Sequence, residues 1–104
     1  MKKIIISLSL ILALFHISMA VDSNTLDCMK KILDKGYGSN TAREVCYGFG
    51  ETEIDCLMYL LESGYGPQTG RENCAGVSNS ELECMKEILS RGYGIYTASQ
   101  SCKD

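Results

Sequence analysis

Histidine is nearly absent from this chain: its one copy, His16, falls in the apolar N-terminal stretch, and no imidazole follows it. That removes the commonest general acid and base and the usual partner of cysteine in a zinc site. No close Cys-x-x-Cys pair occurs either, so no metal ligand and no cofactor is expected. Basic residues are also scarce. The whole chain has a formal charge of −3, and setting Lys2 and Lys3 aside with the leader described next brings it to −5. Neither nucleic acid nor an anionic membrane surface is therefore an expected partner, since both need a basic footprint. The glycines do not follow a Walker-type order, which speaks against a phosphate-cradling loop.

Long apolar runs are missing too. The stretch from Ile4 to Ile17 is interrupted by Ser7, Ser9 and His16 and is short for a membrane span of about 20 residues. With Lys2 and Lys3 ahead of it and the small residues of Ser18-Met19-Ala20 behind, residues 1–20 read as a secretory signal peptide. The expected location is secreted or periplasmic, with no stable membrane insertion once the signal is removed. Residues 21–104 then form one small domain, with only a marginal hydrophobic core of its own.

What the sequence does have is a repeat. The stretch Cys28 to Cys46 recurs as Cys56 to Cys74 and as Cys84 to Cys102, without insertion, at a spacing of 28 residues. The cysteines, the Gly-Tyr-Gly at 36–38, 64–66 and 92–94, and Thr41, Thr69 and Thr97 all superpose. Six cysteines in a small exported chain read as a disulfide framework and allow 15 pairings. Two cysteines per copy favour pairing within each copy: Cys28 with Cys46, Cys56 with Cys74, Cys84 with Cys102. The copies span about residues 24–49, 52–77 and 80–104.

Each copy predicts two helices. Asn24, Thr52 and Ser80 are suitable N-caps, each with an acid three residues on (Asp27, Asp55, Glu83). Apolar residues then recur at three- and four-residue steps: Leu26, Met29, Leu33 in the first copy, Ile54, Leu57, Leu61 in the second, Leu82, Met85, Leu89 in the third. Gly36, Gly64 and Gly92 sit where a left-handed residue ends a helix, with a tyrosine next to fold back on the last turn. A second helix is expected from Thr41, Thr69 and Thr97, each followed three residues later by Glu44, Glu72 or Gln100 as a capping box. It should stop at Gly48 or Gly76. The expected fold is all-α: three tandem disulfide-stapled helical hairpins stacked as a small array.

Comparing the copies yields the candidate sites. Where the first copy has Lys30 and Lys31 and the third Lys86 and Glu87, the middle copy has Met58 and Tyr59. Packing against two neighbours is the first reading of that pair, and an exposed patch for a partner the second. The hairpin tips diverge as well, and Pro67, Gln68, Ile95 and Tyr96 are the candidate recognition residues there. Catalysis has little to work with. A carboxylate hydrolase could in principle draw on Asp27, Asp55 and Glu83 with Glu44 and Glu72, but helix capping explains those acids better. The expected function is a non-enzymatic binding or interaction module for a protein or other extracellular ligand. A secreted effector or inhibitor acting on another organism, or an envelope structural protein, are the alternatives, and an enzyme ranks last.

Overall fold

The computed structural model describes residues 22–103, and the signal-peptide reading of residues 1–20 lies outside them. Among the described residues the chain is all-helical: α1 (Ser23–Asp34), α2 (Ser39–Cys46), α3 (Glu51–Glu62), α4 (Pro67–Cys74), α5 (Asn79–Ser90) and α6 (Ile95–Cys102). No described helix is long and apolar enough to cross a membrane. Successive pairs form three antiparallel hairpins. Cys28–Cys46, Cys56–Cys74 and Cys84–Cys102 each close one of them, with Cα separations of 5.6–5.7 Å.

The long helices end as the glycines dictate. Gly36 takes φ +99°, its N–H donates to Leu33 O, and the Tyr37 N–H reaches back to Ile32 O. These are the paired bonds of a Schellman motif, and Gly64 and Gly92 repeat them. The short helices end differently. Tyr47 leaves the helical region (φ −57°, ψ 125°), Gly48 follows at φ +73°, and the Phe49 N–H donates to Cys46 O. That is the form of a type II turn, and it turns the chain directly into the next hairpin. Ala75-Gly76-Val77 does the same.

Helix starts lie earlier than the sequence pattern suggests. The caps of the long helices are Asp22, Gly50 and Ser78, two residues before Asn24, Thr52 and Ser80. Asp22 Oδ1 accepts the Thr25 N–H at 2.8 Å, and Ser78 forms a reciprocal box with Glu81. Gly50 has no side chain to offer, so only the return bond exists there, with Glu53 Oε1 accepting the Gly50 N–H at 2.9 Å. The entry angle is fixed by apolar residues flanking the cap. Phe49 and Val77 stand just before it, Ile54 and Leu82 four residues inside, and all four are buried, the arrangement of a hydrophobic staple. Asp27, Asp55 and Glu83 therefore lie beyond the first turn and cap nothing.

The short helices likewise start before the threonines. Gly38, Gly66 and Gly94 are their caps, without a side-chain bond, and Thr41, Thr69 and Thr97 sit one turn inside. Because the Schellman end leaves the chain already turned, the next helix begins at once. Pro67 occupies a first-turn position, where a missing N–H costs nothing.

Helices pack within each hairpin around the bridges, Ile32, Val45, Leu57, Leu60 and Met85. Between hairpins the contacts alternate. Hairpin 2 meets hairpin 1 mainly through α4 on α2, and meets hairpin 3 through α3 on α5. The residues explain this. At the first junction Val45 is buried, and the Arg71 guanidinium lies 4.2 Å over the Phe49 ring while donating to the carbonyls of Tyr47 and Val45. At the second junction Val45's place is taken by Asn73, whose side chain bonds its own helix, and Arg71's place by Ser99, so α6 has no clamp. Instead Tyr59 receives Lys86 Nζ at 5.4 Å, Thr52 Oγ1 donates to Asn79, and the Tyr65 hydroxyl accepts the Ile95 N–H at 3.1 Å.

One expected stripe is corrected. Ile54 and Leu57, and Leu82 and Met85, are buried, but Leu26 is 54 % exposed and Leu33 44 % exposed. In hairpin 1 the buried face consists of Thr25, Cys28 and Ile32, with Met29 half-buried beside it. At the same positions Ile54 and Leu82 are buried, and Leu61 and Leu89 half-buried.

Candidate functional site

The alternation of junctions opens a wedge. Hairpins 1 and 2 are clamped at their short helices, so α1 and α3 part on the other side and leave an open groove of about 730 Å³. Met58 and Tyr59, both half-buried, lie in it. Lys31 and Asp34 line it from α1 and Lys35 from its C-cap, Asp55 and Glu62 from α3, and Lys86 from α5. Three ammonium and three carboxylate groups thus surround two apolar side chains. Tyr59 serves two ends at once, since its ring packs under Lys86 and also faces the groove.

The wedge follows from residues already visible in the repeat. Lys31 of α1 stands at the position of Tyr59 in α3. A lysine there gives α3 no apolar surface to close upon, whereas Tyr59 gives α5 one. Met58 and Tyr59 are thus half-buried, with Tyr59 packed under Lys86 at the second junction and both lining the groove.

A second, smaller cleft of about 300 Å³ lies between α1 and α3, lined by Asn24, Asp27, Lys31, Glu51, Ile54 and Asp55. Of the acids considered for hydrolysis, Asp27 and Asp55 share this cleft. Glu83 is elsewhere, 3.6 Å from Lys86, Glu44 accepts from Gln68, and Glu72 lies exposed on α4. Among the described residues no group of three or more His, Cys, Asp or Glu side chains gathers as a metal site.

Pro67, Gln68, Ile95 and Tyr96 are not in turns. They form the first turns of α4 and α6, and the structure does not bring them together. Gln68 spans the first junction to Glu44 Oε2 at 3.4 Å. Ile95 packs partly against the core and its N–H is held by Tyr65, so it belongs to the second junction. Tyr96, its neighbour, is 75 % exposed. Of the four, Gln68 and Tyr96 are exposed, and Pro67 and Ile95 are half-buried. The groove residues Asp34, Lys35 and Glu62 escape sequence reasoning because they are ordinary helix-surface charges, and only the splay of α1 from α3 sets them around one cavity.

No family model, curated protein or solved structure matches this chain.

Proposed function

We propose that this protein is an exported, non-enzymatic interaction module whose ligand site is the wedge between α1 and α3. The observation that carries the reading is the pair Met58 and Tyr59, half-exposed between charges of both signs on a scaffold whose every hairpin is internally bridged. An apolar floor with a polar, mixed-charge rim suits a protein segment that carries apolar side chains flanked by charges of either sign. Three disulfides fit an oxidising compartment outside the cytosol, in line with the leader expected at residues 1–20. Preorganisation supports affinity here in so far as each wall of the wedge belongs to a hairpin closed by its own disulfide.

The test is site-specific photo-crosslinking in the exported, oxidised protein within its native environment. A photoreactive residue at Met58 is expected to trap one discrete species, and Tyr59→Asp in the same chain is expected to abolish the trapping. Trapping from Tyr96 but not from Met58 moves the site to α6, and trapping from neither position removes the reading.

A further inference from the structure

The exposed face of hairpin 1 is built like a junction. In hairpin 2, Gln68 and Arg71 of α4 bond the preceding hairpin, while on α3 Ile54 and Leu57 are buried and Leu61 is half-buried. Hairpin 1 carries the same chemistry at the same positions: Leu26, Met29 and Leu33 on α1, Asn40 and Arg43 on α2. No described hairpin covers this face, and Leu26 and Leu33 are left exposed on it. Arg43, whose counterpart Arg71 reaches across a junction, bonds Asn40 of its own helix instead.

The opposite end of the array has matching partners. Transposing contacts from both junctions by the repeat places residues of hairpin 3 against residues of hairpin 1 in another molecule. Lys86 over Tyr59 becomes Lys30 opposite Glu87, which is an opposite-charge pair. The Tyr65 hydroxyl accepting from Ile95 becomes Tyr93, 58 % exposed, facing the Ser39 N–H. That bond has no counterpart between Tyr37 and Pro67, which has no N–H to give. Gln68 with Glu44 becomes Asn40 with Gln100, two amides that can pair in either sense. Arg43 then reaches the carbonyls at the C-terminal end of α6, as Arg71 does those of Val45 and Tyr47.

We infer that the outward face of hairpin 1 docks hairpin 3 of a second copy of this chain, so that the array continues from molecule to molecule. The contact joins two different surfaces, so it does not close by two-fold symmetry and produces linear oligomers. Glu87 also serves Arg91 at 2.8 Å, so its charge is shared and association depends on concentration. This surface is separate from the wedge, and its failure leaves the wedge reading intact.

Sedimentation velocity on the oxidised protein, expressed with its leader and recovered after export, tests the inference over the micromolar to millimolar range. A ladder of species beyond the dimer is expected. Leu26→Lys, at a position already more than half exposed and so compatible with folding, should weaken association roughly tenfold or more. Lys30→Glu and Glu87→Lys should each weaken it roughly two- to fivefold. Mixing these two variants should restore association as alternating chains, since both unlike contacts pair opposite charges: the native Lys30 with Glu87 in one direction, and Lys30→Glu against Glu87→Lys in the other. A protein that stays monomeric at every concentration overturns the inference. So does a species that stops at the dimer and is unaffected by Glu87→Lys, which would mark two hairpin 1 faces packed on each other.

Discussion

Replacing Gly70 by alanine should destabilise this protein unless Leu57 becomes methionine at the same time. Gly70 is the buried position of α4 that corresponds to Ala42 in α2 and Ala98 in α6, and Leu57 corresponds to Met29 and Met85. The three hairpins thus pair methionine with alanine, leucine with glycine, and methionine with alanine. A Cβ on Gly70 would lie 2.5 Å from Leu57 Cδ1 and 4.0 Å from its Cα, against an optimum of about 3.5–4.0 Å between carbons. The second δ-methyl of leucine fills the space that alanine uses in the other hairpins, while an unbranched methionine can bend away from it. Leu57 is fully buried and has little room to yield. Overpacking of this kind costs about 1–3 kcal/mol, set against about 1 kcal/mol gained by removing glycine from a helix. Gly70→Ala should therefore be neutral to about 2 kcal/mol destabilising, and Leu57→Met alone should cost under about 1.5 kcal/mol. The double variant should be at least as stable as the parent, with a coupling energy of about 1–3 kcal/mol. Urea or thermal denaturation of the four oxidised proteins measures the cycle, with about 4–8 °C in Tm per kcal/mol for a domain of this size. Additive effects within about 0.5 kcal/mol, or a Gly70→Ala variant that gains the full helix propensity alone, would refute the steric argument.

The other expectations use the same denaturation assay. Reduction should unfold most of the population, since three bridges at about 3 kcal/mol each match the whole stability of a small domain; an unchanged melting curve in strong reductant would show that packing suffices. Arg71→Ala should cost about 1–2 kcal/mol through its carbonyl bonds and its stacking on Phe49, and the equivalent change at Arg43 should leave monomer stability alone; equal costs at both would contradict the junction assignment. Ile95→Ser should destabilise by about 1–2 kcal/mol because the side chain packs on the core margin, while Tyr96→Ser should leave Tm unchanged; a reversed order would restore both residues to a common tip surface.

Much of this architecture can be read from particular residues. Gly36, Gly64 and Gly92 announce helix ends because a glycine at positive φ directly after an amphipathic stretch admits few other uses. The helix starts are harder, because two capping patterns overlap. Asn24, Thr52 and Ser80 with acids three residues on imitate the real caps two residues earlier, and the real cap at Gly50 has no side chain to recognise. Phe49 with Ile54 and Val77 with Leu82 would have identified it, as the staple needs a fixed distance across the cap. Thr41 with Glu44 is a capping pattern that a helix interior happens to contain. Leu26 shows where local pattern stops being informative: it matches Ile54 and Leu82 in chemistry, yet it is exposed where they are buried. The Met58 and Tyr59 pair emerges from comparing copies, but the groove around it depends on which helices meet at each junction, a non-local matter.

Bridges placed inside the hairpins, and not between them, explain how the junctions can differ so much. In an unbridged array each repeat depends on its neighbours for stability, so the interfaces are constrained to resemble one another. Here each hairpin is closed by its own disulfide, with both cysteines 18 residues apart in sequence. The stacking contacts are then free to change. One junction uses an arginine clamp on an exposed turn, the next a tyrosine under a lysine and a phenol hydroxyl at a helix start. The same freedom lets the wedge exist. Parting α1 from α3 leaves Met58 and Tyr59 half-exposed, a cost that packing alone would be pressed to remove. With the hairpins held independently, that apolar surface can be retained at the groove, where a ligand and not a neighbouring helix would cover it.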